Sequence, residues 1–141
     1  MNVRRATEAD LEAAHRLWEA SNEEITFTPY EGSRFDPILV TDHIALVAEN
    51  DGGGIAGTVY ANASTPDFGF IFGLYVLPEW RGRGVGRALM RSIASELRDY
   101  GKRYVVLSVD TPNEPARRLY DELGFVDAAR TLRAEIDDLV S

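Results

Sequence analysis

The sequence predicts an α/β (α+β) fold, a mixed central sheet with helices on both faces. Three observations carry this. An apolar run from Phe68 to Leu77, rich in aromatic and branched residues and closed by Pro78, reads as a strand buried on both faces. Val85, Ala88, Leu89, Ser92, Ile93, Glu96, Leu97 and Tyr100 then recur at i, i+3, i+4 spacing, a helical stripe ended by Gly101. Tyr104 to Val109 is a second β-rich run reached through that helix, so the crossover should set it parallel to the first.

In chain order, Asn2 to Ala6 reads as a first strand. Thr7-x-x-Asp10 has capping-box spacing before a helix from about Glu8 to Ala20, whose buried stripe is Leu11, Ala14, Leu17 and Trp18. Ser21 to Thr41 is broken by Pro29, Gly32 and Pro37, yet carries Ile25, Phe27, Tyr30 and Phe35, which fits a packed loop with a short helical turn. His43 to Glu49 and Ile55 to Ala63 flank Asn50-Asp51-Gly52-Gly53-Gly54 and read as a β-hairpin. The Phe68 strand should lie antiparallel to the second of these, with Gly73 marking a bulge or a close backbone approach.

Past Val109, Asn113 is a cap candidate, Pro115 sits acceptably in a first helical turn, and Gly124 can end that helix. Phe125 to Ile136 is expected to form two short strands, the second around Leu132 to Ile136. A chain of 141 residues is expected to be one domain, residues 1–141.

Composition narrows the chemistry. The absence of cysteine excludes disulfides, thiolate metal sites and an acyl-cysteine intermediate. A net charge of −8 argues against nucleic-acid binding and mildly favours cationic substrates. Met1-Asn2-Val3-Arg4-Arg5 opens without an apolar leader, and no 18-residue apolar run follows, so no membrane association and a cytoplasmic location are expected. His15 and His43 stand isolated, and no metal site is expected.

The turn between the Phe68 strand and its helix places Gly82, Gly84 and Gly86 within five residues. Glycines there tolerate positive φ and allow another group to approach the bare backbone. The first N–H groups of a helix lack carbonyl partners, and the helix dipole adds positive charge, so the turn suits a phosphate or pyrophosphate. Arg81, Arg83 and Arg87 strengthen that field: residues 81–103 carry net +5, leaving −13 on the rest of the chain. The plain alternative is a glycine-rich connection before a surface helix with solvated arginines. A Walker loop needs Gly-Lys-Ser/Thr, which is missing, and a dinucleotide fingerprint needs glycine where Arg87 stands.

Arg81-x-x-Gly84-x-Gly86, following Leu74-x-Val76-x-Pro78, resembles the acyl-coenzyme A signature of the GNAT N-acetyltransferase superfamily. Asn113-x-x-Ala116-x-x-Leu119-Tyr120-x-x-x-Gly124-Phe125 resembles a later helix of the same superfamily at the same relative position. The resemblance covers nearly the whole chain and implies acetyl-CoA as donor and a primary amine as acceptor, joined directly in a ternary complex.

On that resemblance, Gly82, Arg83, Gly84, Val85, Gly86 and Arg87 hold the pyrophosphate, with Arg81 beside them. Main-chain groups of Leu74, Tyr75 and Val76 pair with the pantetheine arm as an added strand would. A main-chain N–H near Leu74 polarises the thioester carbonyl, Asn113 contacts the coenzyme, and Tyr120 protonates the departing thiolate. The plain alternatives are that Tyr120 packs at the edge of an amphipathic helix and that Asn113 is only a cap.

Several relatives carry a carboxylate on the central strand at places held here by Phe72 and Gly73, so the base is left to a water chain, a loop carboxylate, or Glu135 on a terminal strand. Glu23, Glu24, Glu31 and Asp36 are candidates for holding a cationic acceptor, against the plain view that they are solvated loop acids. The leading reading is a small-molecule amine acetyltransferase. Acetylation of a protein or peptide amine, and coenzyme binding without turnover, stay open, as does a homodimer.

Overall fold

The structure is a computed structural model that describes residues 1–24, 36–109 and 113–140. Strands β1 (Asn2–Arg5), β2 (His43–Glu49), β3 (Ile55–Asn62), β4 (Phe68–Val76) and β5 (Tyr104–Val106) form one sheet in sequence order. The first four are mutually antiparallel, and β5 runs parallel to β4. Helices α1 (Leu11–Glu24), α2 (Val85–Asp99), α3 (Glu114–Glu122) and α4 (Ile136–Val140) complete the described secondary structure, with 3-10 turns at Glu8–Asp10, Pro37–Leu39 and Pro78–Trp80.

Alternation along the strands explains why both faces are covered. Ile44, Leu46 and Ala48 of β2, Val59 and Ala61 of β3, and Ile71 of β4 point to one face and meet Val85, Leu89, Met90, Ile93 and Leu97 of α2. Their intervening neighbours Ala45, Tyr60 and Phe72 point the other way, to Trp18 of α1. There Trp18 meets the rings of Tyr60 and Phe72 edge-on, at 5.7 and 6.1 Å between centroids. Each fully buried Leu or Ile on the α2 side contributes about 1.5–3 kcal/mol, so this face is the main core.

The capping box before α1 is present: the Thr7 N–H donates to Asp10 Oδ2 at 2.8 Å. Arg4 grips the same carboxylate with Nη1 and Nη2 at 2.8 and 3.0 Å and reaches Glu49 with Nη2 at 2.8 Å. One guanidinium thereby joins β1, the entry to α1 and the end of β2.

The hairpin, the antiparallel placing of β4 and the parallel crossover to β5 agree with the sequence reading. The bulge also lies where Gly73 marks it. Thr58 faces Tyr75 and Tyr60 faces Phe72, so Val59 alone stands opposite Gly73 and Leu74. Gly73 takes φ +65°, and a Cβ there would lie 2.5 Å from Tyr60 Cδ2, so both backbone and space require glycine.

Several expectations need correction. The first helix begins as a 3-10 turn and runs on to Glu24, past the expected Ala20. The strand expected over Tyr104 to Val109 ends at Val106. No strand forms over residues 125–136; instead Ile136 opens α4 and Glu135 is an exposed residue before it. Residues 125–135 have no partner strand among the described residues; at their end Asp137 and Asp138 suit the first turn of a helix, and the Asp138 N–H bonds to Glu135 O at 3.1 Å, closing a turn where extended backbone was expected. In the Ser21 to Thr41 stretch, Pro37–Leu39 supplies the short helical turn. Ile25, Phe27, Tyr30, Glu31 and Phe35 lie outside the described residues.

Candidate active site

The parallel pairing of β4 with β5 covers only Phe68–Phe70 against Tyr104–Val106. From Ile71 to Val76 the outer edge of β4 has no strand partner among the described residues. The two strands part there, and the bulge at Gly73 and Leu74 falls on the freed stretch. Main-chain groups on such an edge can pair with an extended ligand.

A cleft of about 900 Å³ opens from this edge. Ser21 and Glu24 of α1 form one end, and Leu74, Tyr75 and Val76 of β4 form its floor. Trp80, Arg81, Gly82, Gly84, Val85, Gly86 and Arg87 form the wall at the start of α2. Asn113, Pro115, Ala116, Leu119 and Glu122 close the α3 side.

The glycine turn has the geometry that its composition suggests. Gly82 and Gly84 take φ +75° and +82°, and Gly84 is the N-cap of α2. Trp80 and Arg81 N–H groups are taken by Leu77 O and Pro78 O, and Ala88 N–H by Gly84 O. Among the described residues, the N–H groups of Gly82 through Arg87 have no hydrogen-bond acceptor. A run of unpartnered donors at the positive end of a 15-residue helix is a site for an anion.

The arginines divide into three kinds. Arg81 lines the cleft but is engaged: Nε donates to Val76 O at 2.8 Å, Nη2 to Glu24 Oε2 at 2.9 Å, and its guanidinium carbon lies 5.2 Å from the Tyr75 ring centroid. Arg87 also lines it and pairs with Glu122 at 2.6 Å. Arg83 lies 4.9 Å over the Trp80 ring and is not among the residues of the cleft wall.

Asn113 performs the capping role while standing in the wall, its Oδ1 accepting from Ala116 N–H at 3.3 Å. Tyr120 is partly buried and is not among the residues of the cleft wall. Leu119 reaches the cleft, whereas Tyr120, about 100° further round the helix, packs against the main core with its ring 5.5 Å from that of Phe125. Burial pushes its phenol up to about 12.

Of the acidic candidates, Glu24 enters the cleft. Glu23 does not, and Asp36 stands at the N-cap position of the 3-10 turn Pro37–Leu39. Sequence reasoning missed Ser21, Trp80, Pro115, Leu119 and Glu122 as wall residues. Pro115, Leu119 and Glu122 are legible in retrospect, because their i, i+4, i+7 spacing puts them on one face of α3.

Residues 6–125 match the family model described as Acetyltransferase (GNAT) family. Mycothiol acetyltransferase from Nocardiopsis dassonvillei is 39% identical over 99 residues, covering 64% of this chain and 28% of that protein. N-alpha-acetyltransferase RimI from Mycobacterium tuberculosis is 36% identical over 103 residues, covering 69% of this chain and 61% of that protein. This chain therefore spans only part of the length of these relatives. Among solved structures, aminoglycoside N-acetyltransferase AAC(6')-Iy in complex with CoA superposes with TM-score 0.75 at 21% identity, over 95% of this chain and 98% of that one, a likeness of fold.

Proposed function

The chain belongs to the GNAT acetyltransferase family, and from that premise we propose that it moves an acetyl group from acetyl-CoA directly to a primary amine carried by a small molecule. The observation that carries this is the bulged edge of β4, without a strand partner among the described residues, running into six N–H groups at the start of α2 that have no acceptor among those residues. An extended arm ending in a pyrophosphate matches both halves at once.

In this reading the N–H groups of Gly82 to Arg87 bind the pyrophosphate and the edge of Leu74 to Val76 takes the pantetheine amides. The amine nitrogen attacks the thioester carbon, and the oxyanion that forms accepts a hydrogen bond from the Leu74 N–H, a type of contact worth about 3 kcal/mol. Collapse breaks the C–S bond, the thiolate takes a proton from Tyr120, whose high pKa keeps it in the acid form at neutral pH, and the proton that the nitrogen loses as the amide forms restores the phenol through solvent. The acid role requires the Tyr120 hydroxyl to reach the cleft from its seat beside Leu119. Glu135 is exposed and is not among the residues of the cleft wall.

The match to RimI favours a second reading, acetylation of a protein or peptide amine, for which the open β4 edge leaves room. A cytoplasmic location and a homodimer belong to the same proposal. The second draws on the exposed apolar side chains of Val106, Val126, Leu132 and Leu139 and is checked by light scattering.

Calorimetric titration with acetyl-CoA, beside desulfo-CoA and NADH, tests the donor. Selective micromolar binding of the CoA species is the expected result, and its absence would sink the reading. Thiol release with small amines against amine-terminated peptides then separates the two acceptor classes.

A further inference from the structure

At the α1 end of the cleft a carboxylate and a guanidinium neutralise each other. Glu24, the last residue of α1, accepts from Arg81 Nη2 with both oxygens, at 3.2 and 2.9 Å. Arg81 holds Val76 O through Nε at 2.8 Å and lies over the ring of Tyr75. The Tyr75 phenol is raised above its ordinary value by burial first and by the Glu24 carboxylate next, with Arg81 opposing. These residues form one connected unit, and all of them line the cleft.

Glu24 and Glu122 are the carboxylates among the described residues of the cleft wall. Glu122 sits on the α3 side, paired with Arg87. Glu24 stands opposite, beside Tyr75, the residue next to the bulge where the thioester would lie. Its link to Arg81 joins side chains that are 47% and 44% exposed, and such a pair contributes only about 0–1 kcal/mol. A doubly charged pyrophosphate at the turn that follows Arg81 outweighs one exposed carboxylate as a partner for the same guanidinium.

We propose that Glu24 is the acceptor-binding carboxylate of this cleft and that Arg81 masks it until the donor's pyrophosphate draws the guanidinium away. The freed carboxylate then holds the ammonium of the acceptor beside the thioester, where it gives one proton to water before its nitrogen attacks. This inference rests on the acetyl-CoA reading. It makes the donor the first ligand and selects amines that are protonated in solution over neutral aromatic ones.

The test is a double-mutant cycle read by calorimetric titration with CoA, using the whole chain as wild type, Glu24→Gln, Arg81→Met and the double variant, with Arg81→Lys as a conservative control. Removing the competitor should tighten CoA binding two- to fivefold in Glu24→Gln, the equivalent of about 0.5–1 kcal/mol. Arg81→Met should weaken it, Arg81→Lys should weaken it less, and Glu24→Gln should have no effect once Arg81 is gone. Unchanged or weaker CoA affinity in Glu24→Gln overturns the masking. Absence of CoA binding in the wild type overturns the donor reading itself, a result distinct from the former.

The acceptor half is read with n-butylamine, titrated by NMR against the ligand-free and the CoA-loaded protein. Tighter binding to the loaded wild type, lost in loaded Glu24→Gln, is expected. No difference between free and loaded protein overturns the masking, and binding that survives in loaded Glu24→Gln overturns the acceptor role.

Discussion

Thr58 Oγ1 donates a 3.1 Å hydrogen bond to the carbonyl oxygen of Gly73, tying the interior of β3 to the residue at which β4 bulges. Thr58 is 1% exposed, so the bond is made where water cannot replace it. Thr58→Val keeps the shape and strands the carbonyl, which should cost about 1–3 kcal/mol in urea unfolding. On the proposed role of the Leu74 N–H as oxyanion donor beside the bulge, kcat should fall by roughly tenfold with a smaller change in CoA affinity. Unchanged kcat would separate the bulge from catalysis.

Gly84 has open space around its missing Cβ and φ +82°. Gly84→Glu should therefore leave the fold intact, at a backbone cost of about 1–2 kcal/mol. The new carboxylate faces the unpartnered N–H groups, so CoA affinity should fall at least about tenfold. Unchanged affinity in calorimetry would remove the pyrophosphate from this turn.

Tyr120→Phe should retain CoA binding and lower turnover by about a hundredfold, the scale of a lost general acid. Normal turnover in a thiol-release assay would reduce Tyr120 to the packing residue that its contact with Phe125 makes it.

Tyr60 and Tyr120 should make stability fall at alkaline pH. Burial is the first cause for both, and each phenol is pushed up to about 12. The folded state thus keeps protons that the unfolded chain releases near pH 10. Stability from these groups is fully present below about pH 10 and is lost as pH rises from about 10 to 12, by up to ~2–3 kcal/mol for each tyrosine. Unfolding midpoints across that range should show the decline, and Tyr120→Phe should make it shallower; an unchanged slope would count against the buried phenol.

Asp10 acts on the acid side. Its carboxyl is held below the ordinary value, first by hydrogen bonding to Arg4 and then, against a burial penalty, by the Thr7 N–H. That contribution is present above about pH 4 and is lost as pH falls through the depressed folded value. Asp10→Asn should destabilise the protein by roughly 2–3 kcal/mol at neutral pH and flatten the acid decline seen by circular dichroism. An acid profile identical to wild type would show that Arg4 contributes nothing through this pair.

Much of this is legible in the sequence. Val85, Leu89, Ile93 and Leu97 announce α2 because i+4 spacing must put them on one side of a helix, and Gly73 announces the bulge because an interior strand has little other use for it. The glycine turn was legible for the same local reason, since Gly82 and Gly84 take the positive φ that their residue type permits. The end of the chain was not legible. Residues 125–136 carry enough apolar character for a strand, but a strand exists only where another backbone pairs with it, and no local pattern encodes that partner.

The sequence by itself determined the first four strands, the hairpin, the crossover and the conformation of the glycine turn, because periodicity and backbone permissiveness act within a few residues. Only the tertiary structure decided which charges are free. Glu24 and Arg81 are 57 positions apart, and their pairing depends on how far α1 runs and where β4 ends. Likewise Leu119 faces the cleft and Tyr120 the core because α3 docks with one particular rotation on the sheet, a choice made by packing and not by the spacing of either residue.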